Sequence, residues 1–347
     1  MIRYVSAGES HGPQLTVVVE GLPAGLRLDE DLVRADLARR QLALGAGGRM
    51  AIETDRAAIT SGVLAGVTTG APVAMSIANA NHAAWKGRAV PAYTAPRPGH
   101  ADFAAVVKYG YDDIRPSLER ASARETASRV AVGACCRALL AEFGIEVKGR
   151  LVSLGGVACD ADGASAAGLV EQARKDGETL GGVIEVSVSG VPVGLGSHVS
   201  ADRRLDGRLA AAVMSIPAMK GVEIGDGFAL AGMKGTETRG RMGGITGGIS
   251  DGDTLVVRAA MKPIPTTLKS QPTVDLATGE PCGTTYERSD VCPVPRAVVV
   301  VEAVVCLVLA DALSEKLGGD SVEEMKDRFA RLPKTRRLSS EAKVFWP

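Results

Sequence analysis

The chain has 347 residues, room for one large domain or two ordinary ones, and its 40 basic side chains balance 40 acidic ones. A formal net charge of zero offers no field to hold a nucleic-acid backbone, and 46% apolar with 23% charged residues excludes wholesale disorder. Aromatic residues are only 3% of the chain while glycines number 42, so the core must be aliphatic and closely packed.

Leu15–Glu20 alternates like a half-buried strand, closed by Gly21 and Pro23. A helix is predicted from Asp29 to about Leu42, with Leu32, Leu37 and Leu42 near one face, followed by a glycine-rich loop over 45–49. Ile59–Val67 reads as strand, turn, strand, and Pro72–Ile77 as a further strand. Residues 78–99, with Pro91, Pro96 and Pro98, read as an irregular surface excursion. Ser122 with Glu125 three residues later predicts a capping box, opening a helix through Val130, Ala134 and Ala138 to Phe143 with Gly144 as its cap. Strands are predicted at 146–152, 182–188 and 254–261; the glycine-dense stretch 243–249 precedes the last, and Pro263 ends it. The apolar run 297–310 is interrupted by Glu302 and is short for a membrane crossing, so it reads as part of a buried helix over 297–317, stopped by Gly318 and Gly319. One catalytic domain is expected over 1–320, with a charged tail over 321–347 that holds one short helix before Pro333.

Strands outnumber helices without βαβα alternation, so the fold class is α+β, with two apolar helices buried under antiparallel sheets. The first residues carry no secretory pattern. Six scattered cysteines without a C-x-x-C pair or partnered histidines point to a reducing cytoplasm and to no metal site. The dinucleotide fingerprint, the P-loop and H-E-x-x-H are all absent.

Two of the four histidines sit in small-residue turns: His11 in Gly8-Glu9-Ser10-His11-Gly12, and His100 in Arg97-Pro98-Gly99-His100-Ala101-Asp102. Such turns expose an imidazole to a substrate, although each alone equally suits a loop histidine bonded to a neighbouring carbonyl. Arg115, Arg120, Arg124 and Arg129 crowd the expected helix start, where guanidinium forks and free N–H groups suit a phosphate. The plainer reading is a solvated basic face paired with Glu119 and Glu125. Arg39 and Arg40, with Arg49 across the glycine loop, form a second basic group that also suits a helix C-terminus. Lys262-Pro263-Ile264-Pro265-Thr266 is held extended by its two prolines, and Asp290 follows Arg288 in a loop before the long helix. His82 and His198 have no such context.

In this order, G-E-S-H-G, R-R-Q, R-P-G-H-A-D, E-R-A-S-A-R-E-T, I-P-A-x-K-G-V-E-I-G, G-G-I-x-G-G-I-S, M-K-P-I-P-T and R-S-D resemble the chorismate synthase family from Gly8 to about Gly318. The resemblance implies a β-α-β sandwich, with core helices between antiparallel sheets, assembled as a homotetramer. It implies 1,4-anti elimination of phosphate from 5-enolpyruvylshikimate 3-phosphate to give chorismate, the last common step of aromatic amino-acid biosynthesis. Reduced FMN is implied as cofactor, with NADPH entering only indirectly through flavin reduction, by a separate flavin reductase. His11, His100 and Asp290 match the family's catalytic positions. Arg120, Ala121, Ser122, Gly247, Lys262, Pro263, Ile264, Pro265, Thr266 and Arg288 match its flavin-binding positions. Arg39, Arg40, Arg49 and Arg124 are similar to its substrate-binding arginines. The loop after Arg40 carries fewer basic residues than the family pattern, and the segments 83–95 and 234–242 are shorter. Two other functions fit parts of the sequence: an NAD(P)H-dependent flavin reductase, and a noncatalytic anion-binding paralogue.

Overall fold

The computed structural model describes residues 1–42, 44, 45, 55–160, 164–285, 290–343 and 345. Its helices are α1 (Glu30–Gln41), α2 (Asp102–Tyr109), α3 (Arg115–Arg120), α4 (Thr126–Ala141), α5 (Ala164–Asp176), α6 (Leu205–Met214), α7 (Val294–Leu317) and α8 (Val322–Ala330). Two antiparallel sheets enclose the longest apolar helices. The first runs Arg3–Ala7, Gln14–Glu20, Val73–Ala78, Ala57–Ser61 in spatial order. The second runs Met219–Ile224, Leu255–Met261, Gly182–Ser189, Glu146–Leu154, Val157–Ala158.

Period-two patterning orients the first sheet. Leu15, Val17 and Val19 are buried, while Val18 points outward beside its cross-strand partner Val5, which is also exposed. Helix α4 packs under this sheet, α7 packs under the second, and the two helices pack on each other, giving a sheet–helix–sheet sandwich. The aliphatic composition makes this possible: a side chain at Gly133 of α4 would collide with Ala303 of α7, so the two backbones cross with nothing between them. Helix α7 is long and apolar enough to cross a membrane, yet it lies buried in the core.

The sequence-based elements need three corrections. Asp29 does cap α1, accepting from the Leu32 N–H at 3.0 Å. Ser122, however, caps only a 3₁₀ turn, Ala123–Glu125, by accepting from Arg124 N–H, and α4 begins at Thr126. There is no capping box, because the Glu125 carboxylate pairs with Arg129 instead. Helix α7 starts earlier than expected, at Val294. Helices α2, α3, α5 and α6 had no strong pattern to announce them. The short helix expected before Pro333 is α8, and it is docked on the body. Val322 and Met325 are buried, Val322 N–H reaches Ala24 O at 2.9 Å, and the Phe329 ring lies 5.2 Å from Phe143.

Candidate active site

His11 sits in the loop joining the first two strands, and the loop is tied down on all sides. Asn79 donates to the carbonyls of Glu9 and Gly12, at 3.1 and 2.8 Å. Ser10 Oγ lies 3.1 Å from Ser122 Oγ. The Glu119 carboxylate takes two hydrogen bonds from His11, from its backbone N–H at 2.7 Å and from ring Nδ1 at 2.6 Å. The Trp85 ring lies 4.2 Å from the imidazole centroid, tilted by 30°. His82, given no role by its sequence context, donates from Nδ1 to the His11 carbonyl at 3.0 Å.

A buried ionic cluster stands behind this loop. Asp55, whose side chain is fully buried, accepts from Arg40 Nη1 at 3.0 Å and also from Arg124 Nη1. Arg124 Nε reaches Asn79 Oδ1 at 2.7 Å, which connects the cluster to the His11 loop. Two guanidiniums on one carboxylate leave a net positive charge in low dielectric. Burial pulls Arg40 down to about 10; Asp55 opposes that shift and Arg296 adds to it. Arg40 is 2% exposed and its other nitrogens bond Thr126 Oγ1 and Ala123 O, so it acts on a bound anion through its field rather than by contact. Asp290 accepts from Arg296 Nη1 at 2.6 Å, and Arg296 Nε is buried with no hydrogen-bond partner among the described residues.

His100 lies in a turn entered through Gly99 at φ +76°, a conformation that favours glycine. Its Nδ1 is 2.5 Å from Asp102 Oδ1. Asp102 is fully buried and also accepts from Arg97 Nε at 2.7 Å, Nη2 at 3.0 Å and backbone N–H at 3.0 Å. Burial opposes ionisation of this carboxyl, but the bonds from His100 and Arg97 outweigh it and hold Asp102 well below the usual carboxylate range. Arg97 Nη2 lies 3.1 and 3.4 Å from the two ring nitrogens of His100, a near-equal spacing that places the guanidinium against the ring. Arg97 Nη1 reaches Thr266 Oγ1 at 3.4 Å, joining this turn to the proline-rich run. A cavity of about 360 Å³ opens beside it, lined by Pro96, Pro98, His100, Phe103 and Thr273 among others.

The run Lys262–Thr266 leaves the end of the strand Leu255–Met261 and is fixed by Thr179 Oγ1 donating to Ile264 O at 2.6 Å and by Gln271 Nε2 donating to Pro265 O at 3.2 Å. Burial and then the neighbouring Lys220 lower the Lys262 ammonium below its ordinary value. Among the described residues neither lysine pairs with a carboxylate. Two close ammoniums without a counter-charge suit an anion such as a phosphate. This pair fits the phosphate of a flavin mononucleotide.

Other expected residues fall elsewhere. Arg39 grips Glu302 through both terminal nitrogens at 2.8 Å and Asp36 at 2.9 Å, apart from the Asp55 cluster. Glu302, 1% exposed, also takes Arg137 Nη2 and Gly149 N–H, each at 2.7 Å. Arg120 and Arg124 do not share a face. Arg120 is exposed and reaches Ser6 O at 3.2 Å, whereas Arg124 is buried. Ala121 and Ser122 lie between them, Ser122 against Ser10. Gly247 occupies an exposed hairpin turn between Ile245–Thr246 and Ile249–Ser250. Arg49 and Arg288 lie outside the described residues. The sequence reading missed Asp55, Asn79, Trp85, Glu119 and Arg296. It quoted Arg97 and Asp102 in a motif without seeing that a Pro-Gly turn lets residues five apart pair.

The chorismate synthase family model matches residues 2–314. The chain is 47% identical to the chorismate synthase of Geobacter sulfurreducens, covering 95% of this chain and 98% of that one. It is 49% identical to that of Caldanaerobacter subterraneus subsp. tengcongensis, covering 94% and 97%. A crystal structure of chorismate synthase superposes with a TM-score of 0.76 at 38% identity, over 95% of this chain and 96% of that one.

Proposed function

The chain belongs to the chorismate synthase family, and from that premise we propose that the His11 loop, the His100 turn and the run 262–266 bound its active site. The enzyme is a lyase that converts 5-enolpyruvylshikimate 3-phosphate to chorismate and phosphate. More finely, it cleaves a carbon–oxygen bond to phosphate by 1,4-anti elimination. The observation that carries the placement is the pair of buried arginines on a single carboxylate, directly behind a histidine loop. A substrate with one phosphate and two carboxylates needs such a field, because its charges must leave water without a penalty.

Arg124 and Arg49 hold the substrate anions, supported by the field of buried Arg40, and Arg288 belongs with the flavin-binding residues. His11 carries a proton toward the reacting phosphate side, and His100 manages a proton on the side of the proline run. Asp290, held by Arg296 at 2.6 Å, is an acceptor of fixed orientation at the start of α7. Lys262 to Thr266, with Arg120, Ala121, Ser122 and Gly247, would hold reduced FMN. That cofactor, when bound, supplies electron density that eases departure of phosphate.

We further propose that the enzyme works in the cytoplasm as a homotetramer, with NADPH acting only through a separate flavin reductase. The outward pair Val5 and Val18 on the first sheet supports assembly, which size-exclusion chromatography measures. The direct test of function is anaerobic incubation with enolpyruvylshikimate phosphate and chemically reduced FMN. Many turnovers per flavin without NADPH are expected. Flavin oxidised one-for-one with product would overturn the reading, and absence of product would return the chain to a noncatalytic role.

A further inference from the structure

Glu119 stands at the end of α3, where the sequence reading paired it with the neighbouring arginines. The structure sends it elsewhere. Arg120 bonds the carbonyls of Ser6 and Gly8 and the Ser6 hydroxyl, and Glu119 turns inward, 12% exposed, onto His11. Its two oxygens divide the work: Oε2 takes the His11 main-chain N–H at 2.7 Å and Oε1 faces ring Nδ1 at 2.6 Å. An ionised carboxylate only accepts, so Nδ1 must carry the hydrogen of that bond.

The double contact fixes more than a single bond would. One rigid group holds both the backbone and the ring of the same residue, so the His11 side-chain torsions are set from two ends. Ser10 N–H also reaches Glu119 O at 3.2 Å, adding a main-chain tie between loop and helix. Trp85 covers the ring at 4.2 Å, and Arg115 lies 5.6 Å from the Trp85 ring, which braces that wall. His82 closes the remaining main-chain acceptor by donating to His11 O at 3.0 Å.

We propose that Glu119 is the positioning residue of His11: its two-oxygen clamp fixes the tautomer and orientation of the ring, so that the transferable proton is carried on Nε2. The proposal rests on the reading of His11 as a proton-transfer residue. A carboxylate is required because both partners are donors. Glutamine has the same shape but one acceptor, so its NH2 group must face either the His11 N–H or the ring nitrogen. The ring then loses its fixed tautomer while the packing is kept.

Glu119→Gln and His11→Ala are therefore compared in the anaerobic assay with reduced FMN, and the tautomer of His11 is read from ¹⁵N shifts of its ring nitrogens. Glu119→Gln should lower kcat at least tenfold with KM changed less than about threefold, as expected for a misplaced proton-transfer group. Its ¹⁵N signals should show the Nδ1–H form losing dominance to a mixture that includes the other tautomer. Glu119→Asp keeps two acceptors and should recover part of the loss. If His11→Ala falls and Glu119→Gln turns over normally, the clamp is dispensable and the proposal is wrong while the reading of His11 stands. If His11→Ala itself turns over normally, both fall. A Glu119→Gln protein that cannot fold would also overturn the proposal, since it would make Glu119 a scaffold residue.

Discussion

The two histidine turns look alike in sequence, each a histidine beside a glycine, but they are built on opposite principles. At His11 the carboxylate comes from a distant element, Glu119, and takes both the main-chain N–H and the ring N–H of the histidine. At His100 the carboxylate is local, Asp102, and it is shared with Arg97 through three further bonds. In the first turn the carboxylate serves the histidine. In the second it serves the arginine first, and the histidine is clipped to a pair that would exist without it. One motif class can thus place an imidazole either as the object of a clamp or as an accessory to a buried ion pair.

The largest difference should appear on deleting the carboxylates. Asp102→Ala leaves Arg97 buried with no counter-charge, so it should cost about 3–5 kcal/mol in urea unfolding. Glu119→Ala removes the two bonds to His11 and should cost less, since a typical hydrogen bond contributes about 1 kcal/mol. Equal losses would erase the distinction. The same contrast has a pH signature. The folded Asp102 carboxyl is held below its unfolded value of about 3.9, so its contribution is complete above that pH and is lost as pH falls further. The stability gap between the parent and Asp102→Ala should therefore narrow below about pH 4. A gap independent of pH would mean that the carboxylate is not the ionised partner.

Smaller in free energy, though decisive for chemistry, are the histidines themselves. His11→Ala and His100→Ala should each lose at least about tenfold in turnover, with melting temperatures nearly unchanged, because neither ring fills the core. A variant with normal turnover leaves the catalytic set. The smallest effect belongs to the wall of the first turn. Trp85→Leu keeps apolar cover but loses the stacked ring, which is worth about 0.5–1.5 kcal/mol, so turnover should drop only a few-fold. No effect at all would mean the clamp of Glu119 suffices without the wall.

These contrasts also mark what could be read from the chain before the structure. Period-two alternation marked the strand at Leu15–Glu20, and the apolar run over 297–310 announced α7, because burial writes itself directly into residue type. The motif histidines and the run 262–266 were legible as exposed chemistry in constrained turns. What stayed hidden were partners supplied across the fold. Asp55 looks like any acidic residue until Arg40 and Arg124 converge on it. Glu119 looked like a surface counter-charge because its neighbours in sequence are arginines. The carboxylates of Arg39 were hidden for the same reason: adjacent to Arg40 in sequence, it points about a quarter-turn away on the helix, toward Glu302.

Glu302 has a consequence for how the chain is made. Helix α7 is synthesised after every strand of both sheets, yet it is the element on which α4 packs. At roughly 5–20 residues per second, a growing chain holds the apolar face of α4 uncovered for on the order of ten seconds or more before α7 emerges. During that interval α4 presents its apolar face to holdase chaperones, and α7, once it emerges, is long and apolar enough to enter a membrane. A carboxylate in the middle of α7 disfavours the membrane, since an acidic group at a bilayer centre costs about 2.5–3.5 kcal/mol on insertion scales. The same carboxylate then finds Arg39, Arg137 and the Gly149 N–H already in place, and only one docking depth satisfies all three. The long core helix therefore arrives with its address written in a single residue.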